Sequence, residues 1–271
     1  METKMETKTG TGPGPEAGCL REYLFYPGCT LGTTALRLGV YAKKCAEALG
    51  FRLTELDSWQ CCGAVFPLGA GEVAPKLSAI RALKSALVQN KPLVALCSAC
   101  FHVLKQADRQ AETDGDFRAA LAGYDPELAY GGGASVLHYL EVLRDHVGFG
   151  ALRARVKNPL SCHRIGAYYG CMLLRPSGVM GLDDPENPSV FEDFLRALGA
   201  EAVIHPYRNE CCGGYKVPGQ SGRLSAEIMR ASDARGADSL ATACPLCEHN
   251  LSAHGSVYYF TELMAKALGV E

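Results

Sequence analysis

The chain has 271 residues, 48% of them hydrophobic and 21% charged, with a net charge of 27 − 29 = −2. That balance describes a globular protein long enough for one large or two smaller domains. It excludes the global basic signature of a nucleic-acid binder, and no apolar run reaches the roughly 18 residues that a membrane span needs.

Residues 1–20 open with METKMETKTGTGPGPEAG, a polar, Gly/Pro-rich stretch without the apolar core of a secretory signal. They read as a disordered tail, and a cytoplasmic location is expected. Leu24–Tyr26 predicts a short strand that ends in the Pro27-Gly28 turn before Cys29. Residues 34–49 carry Leu36, Val40, Cys45, Ala48 and Leu49 near helical spacing, and Gly50 stops that helix. Residues 51–56 alternate as a strand does, and Cys61-Cys62-Gly63 follows shortly. A second helix is predicted over 74–89, then a buried strand in PLVALC that delivers Cys97, with a helix from about Phe101. The sequence GGGAS at 131–135 lacks both the G-x-G-x-x-G and Walker patterns and reads as a flexible loop before a helix at about 135–147. Further on come a helix at 188–198, a strand at 201–205, Cys211-Cys212-Gly213, a helix at 221–236 and a strand in SLATAC. Strands alternating with helices predict parallel βαβ units.

Thirteen cysteines stand in this chain. An odd number in a protein of this size argues against a disulfide scaffold and for metal binding or redox chemistry. Cys29, Cys61, Cys62, Cys97 and Cys100 are matched in order by Cys171, Cys211, Cys212, Cys244 and Cys247, at offsets of 142, 150, 150, 147 and 147 residues. Leu49-Gly50 repeats as Leu198-Gly199, Tyr26-x-Gly28 as Tyr168-x-Gly170, and His102 and His249 each stand two residues after a CxxC. The chain is an internal duplication with its seam around 145–160. The expected fold is α/β: two pseudo-symmetric duplicated domains, 21–150 and 151–271, each a small, mostly parallel sheet with flanking helices. Open parallel sheets build their sites beyond the carboxyl ends of the strands. All the repeated cysteines fall there, so the five thiolates of each half can converge.

Five sulfurs per half are one too many for a tetrahedral zinc or for the four thiolates of an ordinary [4Fe–4S] cube. Adjacent cysteines suit a site of several metal ions, in which neighbouring thiolates reach different irons or one bridges two. The ferredoxin C-x2-C-x2-C spacing is absent.

The segments YPGCT, WQCCGAVFPL, LCSAC, YYGCMLLRP, ECCGGY and CPLC resemble the CCG-domain family, and most of all the B subunit of heterodisulfide reductases. The resemblance covers nearly all of the chain from Tyr23. It departs in one respect: the gap of 31 residues after Cys212 is shorter than is usual in the family. It implies that Cys29, Cys61, Cys62, Cys97 and Cys100 hold one noncubane [4Fe–4S] cluster, and that Cys171, Cys211, Cys212, Cys244 and Cys247 hold a second. Between them the clusters would reduce a disulfide substrate, with electrons from two partners of such a complex, its ferredoxin-like C subunit and its flavin-containing A subunit. The alternative is a non-catalytic CCG electron-transfer subunit of a lactate/glycolate- or quinone-linked dehydrogenase complex. A structural zinc protein is a third reading, disfavoured by ligand count.

The remaining residues divide between two readings. His102 and His249 are candidates for tuning the clusters by hydrogen bonding, or first-turn helix residues without a chemical role. Arg175 and Lys216 are candidates for holding an anionic group of the substrate or offsetting cluster charge, or surface charges. Trp59 is expected to pack so as to fix the Cys61-Cys62 turn. Cys162 is expected to be a spare buried thiol, Cys45 a helix-core residue and Cys19 a tail thiol.

Overall fold

The computed structural model describes residues 21–64, 73–214 and 220–271. Cys19 and Lys216 lie outside them. Among the described residues, eight strands form two sheets of four: β1 (Arg21–Tyr26), β2 (Phe51–Glu55), β3 (Leu93–Ala95) and β4 (Val136–His138) in the first, β5 (Arg164–Tyr168), β6 (Glu201–Val203), β7 (Ser239–Thr242) and β8 (Val257–Tyr259) in the second. The orders are β2-β1-β3-β4 and β6-β5-β7-β8, and every pairing is parallel. The same topology is therefore written twice. The central strands β3 and β7 are buried along their whole length, as strands covered on both faces must be.

In chain order the helices are α1 (Gly28–Leu31), α2 (Leu36–Leu49), α3 (Leu77–Val88), α4 (Ser98–Thr113), α5 (Gly115–Tyr124), α6 (Tyr139–Glu141), α7 (Phe149–Arg155), α8 (Ser177–Met180), α9 (Val190–Ala197), α10 (Gln220–Asp233), α11 (Pro245–Ser252) and α12 (Phe260–Leu268). A π-helical turn, Val142–Val147, separates α6 from α7.

Three expectations need correction. The helix expected at about 135–147 is a strand first: Val136–His138 pairs with β3, and helical structure begins only at Tyr139. The helix expected from about Phe101 starts at Ser98, because Cys97 is extended (φ −92°, ψ 122°) and caps it directly. In α2 the inward face is Leu38, Gly39, Ala42, Cys45 and Ala46, whereas Leu36 and Val40 face solvent at 57% and 49% exposure. The loop 131–135 is tied down by its Ala134 N–H, which donates to Asp108 Oδ1 at 3.1 Å.

One hydrophobic core runs through both halves. Phe260, fully buried at the start of α12, contacts His138 and Tyr139 of the first half and Phe191 and Phe194 of the second, at centroid separations of 5.8–6.4 Å. Burying such a ring contributes roughly 1.5–3 kcal/mol. Directed bonds add register across the seam. Ser98 N and Oγ donate to Ala243 O at 2.9 and 3.0 Å, Tyr259 Oη to Leu96 O at 2.7 Å, and Thr261 Oγ1 to Leu38 O at 3.1 Å. His138 also meets Leu96 O, at 3.1 Å, and burial pushes its pKa down to about 4, so it sits there neutral. The residues before Cys97 and Cys244, Leu96 and Ala243, are thus the ones the seam holds most directly.

Candidate iron–sulfur site

Each half presents its cysteines from the carboxyl ends of its strands. Cys29 follows β1 on α1, Cys61 and Cys62 follow β2, and Cys97 and Cys100 follow β3 at the start of α4. Cys171 follows β5, Cys211 and Cys212 follow β6, and Cys244 and Cys247 follow β7 at the start of α11. The βαβ arrangement brings distant residues to one rim without any long-range coincidence in sequence.

Cys62 Sγ lies 3.5 Å from Cys100 Sγ. The other thiols are electrostatic neighbours: Cys29 of Cys61, Cys97 of Cys100 and, across the seam, of Cys244, then Cys244 of Cys247, Cys247 of Cys212, and Cys211 of Cys212 and Cys171. The second half repeats the order of the first in reverse. Cys62, Cys97, Cys100, Cys212, Cys244 and Cys247 are buried, Cys29, Cys171 and Cys211 are half-buried, and Cys61 is exposed. Cys45 is buried on α2, its thiol pushed up to about 12 by that burial. Cys162 is exposed, not the buried thiol expected, because it sits in the surface turn leading into β5.

Two devices aim the cysteine turns, and both halves use them. Tyr26 Oη donates to Gln60 O, and Tyr168 Oη donates to Glu210 O at 2.7 Å, each tying the end of a strand to the residue before a Cys-Cys pair. Burial, and then the nearby cysteines, raise both phenols far above their ordinary range, so they remain donors. Gly28 and Gly170 hold φ at +71° and +66°. A Cβ at Gly28 would stand 2.6 Å from Cys100 Sγ and one at Gly170 3.4 Å from Cys247 Sγ. Glycine keeps these sulfurs uncovered.

Among the described residues, no three His, Cys, Asp or Glu side chains are gathered to hold a single metal ion. Thiolates that share a group of several metal ions need not meet at one point, and this donor set fits such a group. A cavity of about 280 Å³ is lined by Cys29, Cys61, Cys62, Cys97, Cys100 and Cys244 together, with Leu31 and Leu246 among its apolar walls.

The other candidates separate. His249 lines that cavity, and His102 lines a second one with Cys171, Met172 and Arg175. Arg175 reaches this second cavity, but its guanidinium is engaged by Asn209 O, Pro185 O and Glu186 Oε1 at 2.9–3.1 Å. It braces the 183–189 loop. Trp59 packs over Gly32, where a Cβ would collide with its ring, and donates from Nε1 to Glu55 Oε1 at 3.0 Å.

Sequence reasoning missed the support of the second half. Arg208 Nη1 pairs with Glu192 Oε1 at 2.8 Å, both side chains being buried, and Tyr169 Oη donates to the other carboxylate oxygen. Burial pushes the Glu192 carboxyl up, and the bonds from Tyr169 and Arg208 oppose that. Arg208 O accepts from Tyr169 N at 2.7 Å and Gly170 N at 3.2 Å, directly before Cys171. A charged residue between Phe191 and Phe194 on an otherwise apolar helix face was the available signal. Asn250 Nδ2 also donates to Cys212 Sγ at 3.4 Å.

The chain aligns over 268 residues at 30% identity with the 8-methylmenaquinol:fumarate reductase membrane anchor subunit of Wolinella succinogenes, covering 92% of this chain and 93% of that one. It is 26% identical over 230 residues to the B subunit of the ferredoxin/F(420)H(2)-dependent CoB-CoM heterodisulfide reductase of Methanosarcina acetivorans, covering 82% and 76%. A hypothetical protein from Helicobacter pylori shares the fold at TM-score 0.59 and 10% identity, over 94% of this chain and 50% of that one. No helix among the described residues is long and apolar enough to cross a membrane. The cysteine-rich domain model of the CCG family matches twice, over residues 23–105 and 165–252. With one match on each sheet and its cysteines, the chain belongs to the CCG cysteine-rich domain family.

Proposed function

We propose that the chain is the iron–sulfur subunit of a heterodisulfide reductase-type complex. In this reading Cys29, Cys61, Cys62, Cys97 and Cys100 hold one noncubane [4Fe–4S] cluster, and Cys171, Cys211, Cys212, Cys244 and Cys247 hold the other. The observation that carries it is that two equal parallel sheets each deliver five cysteines from their strand ends, five of them lining one cavity in the first half. Cleaving a disulfide to two thiols takes two electrons and two protons, and two clusters supply the electrons one each. The protein's own part is positional. The ends of β1, β3, β5 and β7 fix the sulfurs, and the seam bonds to Leu96 and Ala243 hold the two sets in register. Leu31 and Leu246 give the cavity apolar walls that limit water, while Thr30 and Thr34 offer hydroxyls to a polar end of the substrate. Electrons come from the two partners such a complex provides, a ferredoxin-like C subunit and a flavin-containing A subunit.

Iron and sulfide analysis of protein purified without oxygen tests the cofactor reading, with about eight of each expected per chain. Zinc in place of iron overturns it. Disulfide reduction driven by reduced methyl viologen tests the chemistry, and turnover is expected.

The Wolinella succinogenes relative favours a second reading, because its match is higher in identity and longer than that of the Methanosarcina acetivorans relative. The chain then passes electrons within a quinone-linked reductase and does no disulfide chemistry. Clusters present with no disulfide turnover select that reading.

A further inference from the structure

His102 belongs to the first half and follows that half's CxxC, yet it faces the second. The cavity it lines contains Cys171, Met172, Arg175 and Pro176, all from beyond β5. His102 Nδ1, shielded from solvent, has no hydrogen-bond partner. His249 makes the opposite crossing. It follows the second half's CxxC and, exposed at the start of α11 with Cys244, Pro245 and Leu246, lines the cavity of Cys29, Thr30 and Thr34.

The two crossings are the same event. Adding 142 to Cys29, Thr30 and Thr34 gives Cys171, Met172 and Pro176, and subtracting 147 from His249 gives His102. Four positions of one cavity therefore recur in the other, each time with the histidine supplied by the opposite half. Helix geometry explains why. Residues two apart on an α-helix differ by roughly 200° in direction. A CxxC that turns its second cysteine to its own set points the histidine two residues later away from it. Because α4 and α11 meet at the seam, through Ser98 and Ala243 and through Cys97 and Cys244, away from one set means toward the other.

We propose that His102 and His249 are exchanged polar contacts: each half lends its histidine to the group bound by the opposite half's cysteines. This rests on the two-cluster reading above and adds which residue serves which cluster. Nδ1 of His102, buried without a partner, is the atom that would meet that group or a substrate atom bound on it.

Pulsed EPR on reduced protein, with ¹⁵N confined to histidine, tests the exchange. Cys171→Ser and Cys29→Ser first identify the signal belonging to each set. A histidine nitrogen coupling is expected on the second-set signal and is lost in His102→Leu. The first-set coupling is retained in that variant and is lost in His249→Leu. Iron content at the wild-type level in both variants shows that the fold and clusters persist. Loss of coupling from the first-set signal in His102→Leu, or no coupling on either signal, overturns the exchange. Wild-type protein with fewer than two clusters overturns the two-cluster reading instead, and that outcome is read from iron content before any coupling is measured.

Discussion

The two halves hold equivalent cysteines with unlike supports. In the first, Trp59 lies over Gly32 and is anchored by its indole N–H on Glu55, at a partly exposed position. In the second, the corresponding loop is fixed by a buried ion pair, Arg208 with Glu192, to which Tyr169 is bonded. The second half also has Asn250 donating to Cys212, where the equivalent residue of the first half, Val103, has no side-chain donor. The parts that touch sulfur are repeated: a tyrosine bond, a glycine turn, a Cys-Cys pair and a CxxC at a helix start. The parts one layer out have diverged. Duplicated chemistry demands the same approach to the sulfurs, but an aromatic lid and a salt bridge can both supply the rigidity behind it. Hydrogen bonds to sulfur are among the determinants of cluster potential, so clusters held by the two sets would differ in potential.

The largest expected effect concerns the cysteines themselves. On the two-cluster reading, Cys171→Ser is expected to lower iron from about eight to about four per chain and to abolish one of two EPR signals, and Cys29→Ser to abolish the other. Loss of all iron from either variant would mean that the ten sulfurs hold one shared group, and the comparison of two sites would collapse.

Next comes the buried pair. Glu192→Gln or Arg208→Met leaves a buried charge uncompensated, which costs about 3–5 kcal/mol, read as a lower denaturant midpoint. The double replacement Glu192→Leu with Arg208→Met recovers only part of that loss: desolvation of both charges is removed together, but the buried Tyr169 hydroxyl loses its acceptor. A single variant with wild-type stability would show that the second half does not depend on its ion pair.

The repeated features were the ones legible in sequence. Both repeats of cysteines, and the delivering strands other than β5, could be read because each chemical signature occurs twice in register; β5, which leads to Cys171, was not among the predicted elements. Nor could the fourth strands be read. Val136–His138 and Val257–Tyr259 are each three residues long and run straight into α6 and α12, so their apolar residues merge with the helix pattern. The start of α4 was placed late because nothing in CSAC marks Cys97 as a cap. Leu36 and Val40 fit a helical stripe, yet the inward face of α2 is set by packing against α12, where Thr261 meets Leu38 O. Glu192 and Arg208 lie 16 residues apart. The buried charge on α9 was visible, but its partner is set by the packing of α9 on β5 and by the bond of Arg208 O to Tyr169 N, which nothing local in the chain announces.

A third comparison uses the glycines. Gly28→Ala faces both an unfavourable positive φ, costing about 1–2 kcal/mol, and a Cβ 2.6 Å from Cys100 Sγ. Gly170→Ala has the same backbone cost with its Cβ 3.4 Å from Cys247 Sγ, an ordinary contact. Gly28→Ala is therefore expected to lose more stability than Gly170→Ala, and to alter the first-set EPR signal more than Gly170→Ala alters the second. Equal effects would mean that backbone conformation alone requires glycine at both turns.

The smallest effect belongs to the lid of the first half. Trp59→Phe keeps an aromatic ring over Gly32 but removes the bond to Glu55 Oε1. Glu55 keeps its ion pair with Lys43 at 2.8 Å, so no group is stranded. The bond is also partly solvated, and its loss costs about 0.5–1.5 kcal/mol. That is well below the cost of breaking the Arg208–Glu192 pair, and the first-set signal should stay in place. A larger loss, with a displaced first-set signal, would show that the indole N–H steers the Cys61-Cys62 turn directly, and the two supports would then be equivalent in strength as well as in position.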